Sequence, residues 1–176
     1  VAPGYIVSGS DWSTVVIGQE YTFFFVYVAF DHPHALENAL GRQNLAETVA
    51  SFRDYLEASL ASYGGRMWMW SGYEGIVLFP FDGTDSDSIR CVFRMFLSKH
   101  LYDVEYSPFP QFISFRSVIH IGNTVYHTQE TGNVISDTLN SVFHIGQKFA
   151  ERGNLYVSSQ ALQYAHAPLK PYFVSA

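Results

Sequence analysis

The 176-residue chain is 48% hydrophobic and only 15% charged, which fits one compact domain around a single core rather than two. Its 15 Phe, 12 Tyr and 3 Trp exclude a disordered chain and point to apolar surface reserved for a partner. A net charge of −6 with no basic run excludes a nucleic-acid partner and leaves phosphorylated small molecules open. The lone Cys91 rules out an internal disulfide and paired-cysteine zinc sites, and fits a cytoplasmic setting. No apolar run reaches the ~18 residues of a membrane span, so no membrane contact is expected of this segment. Because it begins at Val1, it is read as the cytoplasmic part of a longer protein that could be anchored elsewhere.

Residues 1–20 read as a lead-in segment or short edge strand, and 21–176 as a single domain. From Tyr21 the run YTFFFVYVAF is too continuously apolar for a one-sided strand and predicts a strand buried on both faces. Asp31-His32-Pro33 ends it, and a polar loop through Gly41 follows. Leu45, Val49, Phe52, Leu56 and Leu60 then recur at helical spacing ahead of Gly64-Gly65, which closes the helix. RMWMW and GIVLFPF, joined by Ser71-Gly72-Tyr73-Glu74, predict a hairpin whose turn lies at the ends of two central strands.

A second helix is expected from Asp85 to His100, capped by Asp85, Ser86 and Asp87, with Ile89, Val92, Phe93, Phe96 and Leu97 on its core face. FISFRSVIHIG follows as a strand that could pair with NTVYHT. A helix from Asp137 carries Leu139, Val142, Phe143, Phe149 and Ala150, stopped by Arg152-Gly153-Asn154. LYVSS is a short strand, and Ser158 caps a last helical turn through Gln163. The order predicts an α+β fold, a ferredoxin-like βαββαβ sandwich with helices packed on a mainly antiparallel sheet.

Several polar groups have ordinary structural explanations. His32 and His34 flank a proline but lack a third metal ligand. His120 sits in an apolar strand and reads as core. Asp82, Asp85 and Asp87 lack the late glutamate of a calcium loop and are accounted for by helix capping. Ser158-Ser159 has no His-Asp constellation to serve it, and no phosphate-cradling glycine loop is present.

Two longer stretches carry a family resemblance. SYGGRMWMWSGYEGIVLF resembles the hairpin of class III nucleotidyl cyclases, a Gly-Gly, a strand, Gly-Asp-Gly and a strand ending in Phe. SVIHIGNTVYHTQETGNVISDTLNSVFHIGQKFAERGNLYVSSQAL is similar to that family's later half, an I-H-x-G strand pair, a G-D-T-V-N-x-A-A-R helix and a strand ending in V-S. The elements keep family order over residues 21–165. GYEG is also similar to the GGDEF turn of diguanylate cyclases, but the D-T-L-N helix argues against them.

The resemblance implies attack of a ribose 3′-hydroxyl on an α-phosphate, assisted by two Mg²⁺ or Mn²⁺ ions held by facing aspartates. At the first aspartate position this chain has Tyr27 by the strand alignment, or Ala29 counting back from Gly64-Gly65, and at the second Tyr73; none is a carboxylate, and neutral phenols are poor ligands for such ions, with Asp31 and Glu74 as weak alternatives. Asp137 matches the family's purine-binding Asp and Asn140 its ribose-orienting Asn, three residues apart and so on one helix face. For residues met without the resemblance, a helix N-cap is the ordinary reading of Asp137. His144 stands at the transition-state Arg and Met69 at the purine-selecting Lys, while Lys170 is a weak match for a late phosphate-contacting Lys.

The expectation is a degenerate cyclase-type domain, catalytically inactive, acting as a dimerising regulatory or nucleotide-sensing module of a signalling protein. It would form a homodimer or heterodimer through the cyclase-type interface, take a purine nucleotide as ligand and need no cofactor, Mg or Mn entering only if it is an enzyme. The alternative is one half of a heterodimeric adenylate or guanylate cyclase, supplying Asp137 and Asn140 in trans. A third is a structural interaction domain that docks through Trp68 and Trp70.

Overall fold

A computed structural model describes residues 12–84, 87–109, 112–128 and 136–175. Five strands, β1 (Glu20–Phe30), β2 (Arg66–Ser71), β3 (Glu74–Pro80), β4 (Phe115–Val125) and β5 (Leu155–Val157), form one sheet in the order β2-β3-β1-β4-β5. Neighbours are antiparallel except β4 and β5. Four of these strands with α2 (Arg42–Ala61) and α3 (Asp87–Glu105) make the predicted βαββαβ unit, to which α4 (Asp137–Lys148), β5 and α5 (Ser159–Leu162) are added.

β1 is the centre. Every residue from Tyr21 to Phe30 is buried, and alternation divides them between two cores. Phe24, Val26, Val28 and Phe30 face the α2 and α3 layer with Phe52, Leu56, Val92 and Met95. Phe23, Phe25, Tyr27 and Ala29 face the opposite side, where α4 supplies Leu139 and Val142. Trp12 packs there too, stacked on Phe23 with its indole N–H donating to the Gly64 carbonyl at 2.7 Å.

Several local features differ from expectation. The loop through Gly41 contains a helix, α1 (Pro33–Leu40), which begins with proline, a residue pre-set for the first helical position. β4 is a single strand, because residues 115–125 pair with β1 along its full length instead of folding back on themselves. β2 is an edge strand, so the hairpin turn joins one central strand to the rim; Gly72 takes the left-handed conformation that this two-residue turn requires. On α3, Leu97 points to solvent, because the buried stripe runs through Ile89, Val92, Met95 and Tyr102. Phe149 also lies exposed, just past the end of α4. Of the expected α3 caps, Asp85 and Ser86 lie outside the described residues, and Asp87 opens the helix.

A register shift between Met67 and Met69 places Trp68 and Met69 together on the α4 side, while Trp70 packs on the other. The two tryptophans are therefore not a paired docking surface. Trp68 is buried and donates to the His127 carbonyl, and the Arg53 guanidinium lies over the Trp70 ring at 5.7 Å.

α4 approaches β1 closely because residue 146 has no side chain, and a Cβ there would overlap the Tyr27 ring. Gly146→Ala is expected to lower the stability of the chain by about 1–3 kcal/mol, as overpacking does. Urea denaturation monitored by tryptophan fluorescence would check this; an unchanged midpoint would contradict the tight fit.

Candidate functional site

An open cleft of about 970 Å³ lies where the end of β1, the start of α1, the β2–β3 turn and the end of α4 converge. Its walls include His32, Tyr73, Glu74, Arg116, Gln147 and Arg152. Each arrives for a local reason. Asp31 and His32 leave β1 as the chain turns into α1, His32 in the left-handed conformation ahead of Pro33. Tyr73 and Glu74 occupy the hairpin turn and the first position of β3.

At the cleft's inner edge Tyr27 and Glu74 bind one another. The Tyr27 hydroxyl donates to Glu74 Oε2 at 2.5 Å, and the Gln147 side-chain amide donates to Oε1 at 3.1 Å. Both carboxylate oxygens thus hold protein donors. Burial first, and then the Glu74 carboxylate, push the Tyr27 phenol well above its ordinary value, so it stays protonated at neutral pH. Tyr73 does not share this contact: its ring packs with the α2 and α3 layer, on the other face of the sheet. Alternation along β3 explains the choice, since Glu74 and Ile76 point to the α4 side with Tyr27.

Asp31 is buried and fully engaged. It pairs with Arg116 Nη1 at 2.7 Å, and accepts from the Ser114 hydroxyl at 2.7 Å and the Gly153 backbone N–H at 2.8 Å. Arg116 in turn donates through Nε to the Gly146 carbonyl at 2.9 Å. One ion pair therefore ties the ends of β1 and β4 to the last turn of α4 and the loop before β5. The protein donors occupy Asp31's oxygens, and its role here is in the scaffold.

Along α4, Asp137, Asn140, His144 and Gln147 follow one another at three, four and three residues, all exposed on one face. The N-cap is Ser136, whose hydroxyl accepts from the Leu139 backbone N–H at 3.4 Å. Asp137 is therefore not the cap, and its carboxylate stands free of that duty in the first turn. Met69 lies half-buried on the same side of the sheet, opposite Ile76. The His144 ring meets Phe149 edge-on at 5.3 Å. Lys170 does not join this line: its ammonium donates to the Gln163 carbonyl, and Leu169 and Phe173 around it pack on the α2 and α3 side.

The remaining candidates separate. His120 is half-buried and bonded to the Ser158 hydroxyl at 2.9 Å; burial lowers its pKa, so the imidazole is neutral near pH 7. Ser158 also caps α5, accepting from the Ala161 N–H. Asp82 closes a local turn on Thr84. His32 and His34 line the cleft, yet among the described residues no cluster of three or more His, Cys, Asp or Glu could hold a metal.

Arg116 and Gln147 were not singled out in the sequence, although both left a signal. Arg116 is a lone charge inside an apolar strand, and Gln147 extends the three-and-four spacing of Asp137, Asn140 and His144 by one turn.

The overall fold agrees with a group of solved structures. The catalytic core of a rhodopsin-guanylyl cyclase with converted specificity, in complex with ATPαS, superposes with a TM-score of 0.72 at 12% identity, covering 89% of this chain and 86% of that one. The chain has the fold of nucleotidyl cyclase catalytic domains. A non-canonical dimeric guanylyl cyclase domain of the RhoGC fusion protein from the aquatic fungus Blastocladiella emersonii matches with a TM-score of 0.68 at 10% identity, over 83% of this chain and 84% of that one. The adenylyl cyclase CyaB from P. aeruginosa matches with a TM-score of 0.63 at 13% identity, over 83% and 81%. No protein-family model and no curated protein matches the chain. Among the described residues no helix is long and apolar enough to cross a membrane.

Removing one partner of a buried pair leaves the other charge without compensation. Because Arg116 keeps some solvent contact, Asp31→Ala is expected to cost about 3 kcal/mol, the low end of the range for such pairs. Chemical denaturation measures it, and a variant as stable as the parent would show that Asp31 is not the tie at this corner.

Proposed function

We propose that the chain is a degenerate nucleotidyl-cyclase-type domain, without metal-dependent catalysis of its own, that serves as a dimerising regulatory or nucleotide-sensing module in a larger cytoplasmic signalling protein. The observation that carries this reading is the bond between Tyr27 and Glu74. Cyclisation by the family route needs two hard cations on oxygen ligands that can shed their protons. The residues present do not fit such a pair. Tyr27 is a protonated phenol, the Tyr73 ring packs toward the α2 and α3 layer rather than beside Tyr27, Glu74 already accepts two donors, and Asp31 is spent on Arg116.

The nucleotide half is better supplied. Asp137 and Asn140 are exposed on one face of α4, with the capping duty taken by Ser136, so a carboxylate and an amide are open to a purine edge and a ribose. Met69, on the same side of the sheet, offers apolar contact in place of a charged donor. His144 brings less positive charge than an arginine could, which favours binding over transition-state stabilisation. Pairing with a second domain of this fold is consistent with a neighbour of the same fold described as a non-canonical dimeric guanylyl cyclase domain.

The exposure of Asp137 and Asn140 also favours a second reading, in which they complete the site of a metal-bearing partner domain in a heterodimeric cyclase. Titration calorimetry with ATP and GTP, with and without Mn²⁺, separates these readings. Metal-independent binding, lost in Asp137→Ala and accompanied by no cyclic nucleotide, is the expected result. Product formed only after a partner domain is added would establish the second reading. Binding that needs Mn²⁺, with cyclic nucleotide made by the chain alone, would overturn the first. Failure of either nucleotide to bind, with a dimer still present by light scattering, would remove the sensing role and leave a protein scaffold.

A further inference from the structure

α3 has a second apolar face. Met95, Val92 and Tyr102 are turned into the core, while Leu97, Leu101 and Val104 are 71%, 56% and 78% exposed. At 100° per residue the three fall within about 60° of one another, opposite Met95. Their four-and-three spacing is that of a seam by which one helix packs on another. The beginning of this face is already in use: Phe93 is covered by Tyr172 and Phe173 of the chain's own C-terminal turn.

Arg94 and Glu105 border the seam on one flank, three residues before Leu97 and one after Val104. Both are exposed, and neither makes an ion pair with the other described residues; Arg94 reaches only the Tyr63 hydroxyl, at 3.3 Å. Both also line a groove between α2 and α3 of about 410 Å³, together with Leu101.

We propose that this face pairs with the same face of a second copy of the chain, antiparallel, about a twofold axis beside Leu101. The arrangement sets Leu97 against Val104 of the second copy, and Val104 against its Leu97, with the two Leu101 side chains at the centre. Orientation follows from charge. An antiparallel pair brings identical flanks together, so each Arg94 meets Glu105 of the other copy, whereas a parallel pair sets this flank against the opposite one and leaves Arg94 and Glu105 apart.

The contact spans roughly 18 Å of helix from Arg94 to Glu105. That places it among small interfaces, a weak association that adds to other pairings. α3 covers the face of the sheet opposite α4, so this surface is separate from the α4 line and does not depend on nucleotide binding. A chain that pairs here and through a cyclase-type interface would assemble beyond a dimer.

Cysteine cross-linking of the whole chain tests the axis. Leu101→Cys under mild oxidation is expected to give a disulfide-linked dimer, well ahead of a Val125→Cys control at the end of β4. The native Cys91 stays out of the reaction, because burial first, and then Asp87, push its thiol up to about 12. Adding Arg94→Glu to Leu101→Cys is expected to slow cross-linking about fivefold at low salt, and adding Glu105→Arg to that variant to restore it. Leu101→Cys that links no faster than the control would overturn the proposal, as would a charge reversal without effect or without rescue.

Discussion

Strand β1 is buried on both faces, and that burial constrains everything around it. Its residues pair with β4 from Glu20 to Phe30 and with β3 from Phe23 to Ala29, while successive side chains enter opposite cores. A slip of one residue would exchange the two sets and carry the Tyr27 hydroxyl into the apolar layer of α2 and α3. The register is thus fixed by packing, and the register puts one polar group, the Tyr27 hydroxyl, beneath α4. A buried hydroxyl requires a partner, and Glu74 supplies it from the neighbouring strand β3.

The corner of the cleft follows from the same strand. Asp31 is the first polar residue after the apolar run, and it is still buried when it leaves the sheet. Arg116 sits on the strand beside it, within reach of both the carboxylate and the last turn of α4. The ion pair, the hydroxyl–carboxylate bond and the close approach at Gly146 together hold β1, β4, the hairpin and α4 at one point.

Much of this was legible from the chain. The uninterrupted run from Tyr21, the periodicity from Leu45 to Leu60 and the glycine turn at Gly72 each have one physical reading, and β1, α2 and the hairpin follow them. α1 was hidden because an eight-residue helix in a polar stretch has little periodicity to show. Leu97 was misplaced because its spacing from Phe93 fits a helix face whether that face meets the core or the solvent. The contact between Tyr27 and Glu74 was beyond sequence reasoning of this kind: which of Tyr73 and Glu74 turns toward α4 depends on where the turn ends and β3 begins. The bulge at Trp68 likewise reverses the facing that simple alternation assigns to the two tryptophans.

Under the proposed function, Tyr27 and Gln147 occupy the Glu74 carboxylate where a cation would otherwise bind. Titration of the native chain into Mn²⁺, followed by the electron paramagnetic resonance signal of the free hydrated ion, tests it without reference to any product. The signal is expected to stay undiminished when protein exceeds metal. Loss of the signal at equimolar protein, reversed by Glu74→Gln, would contradict it.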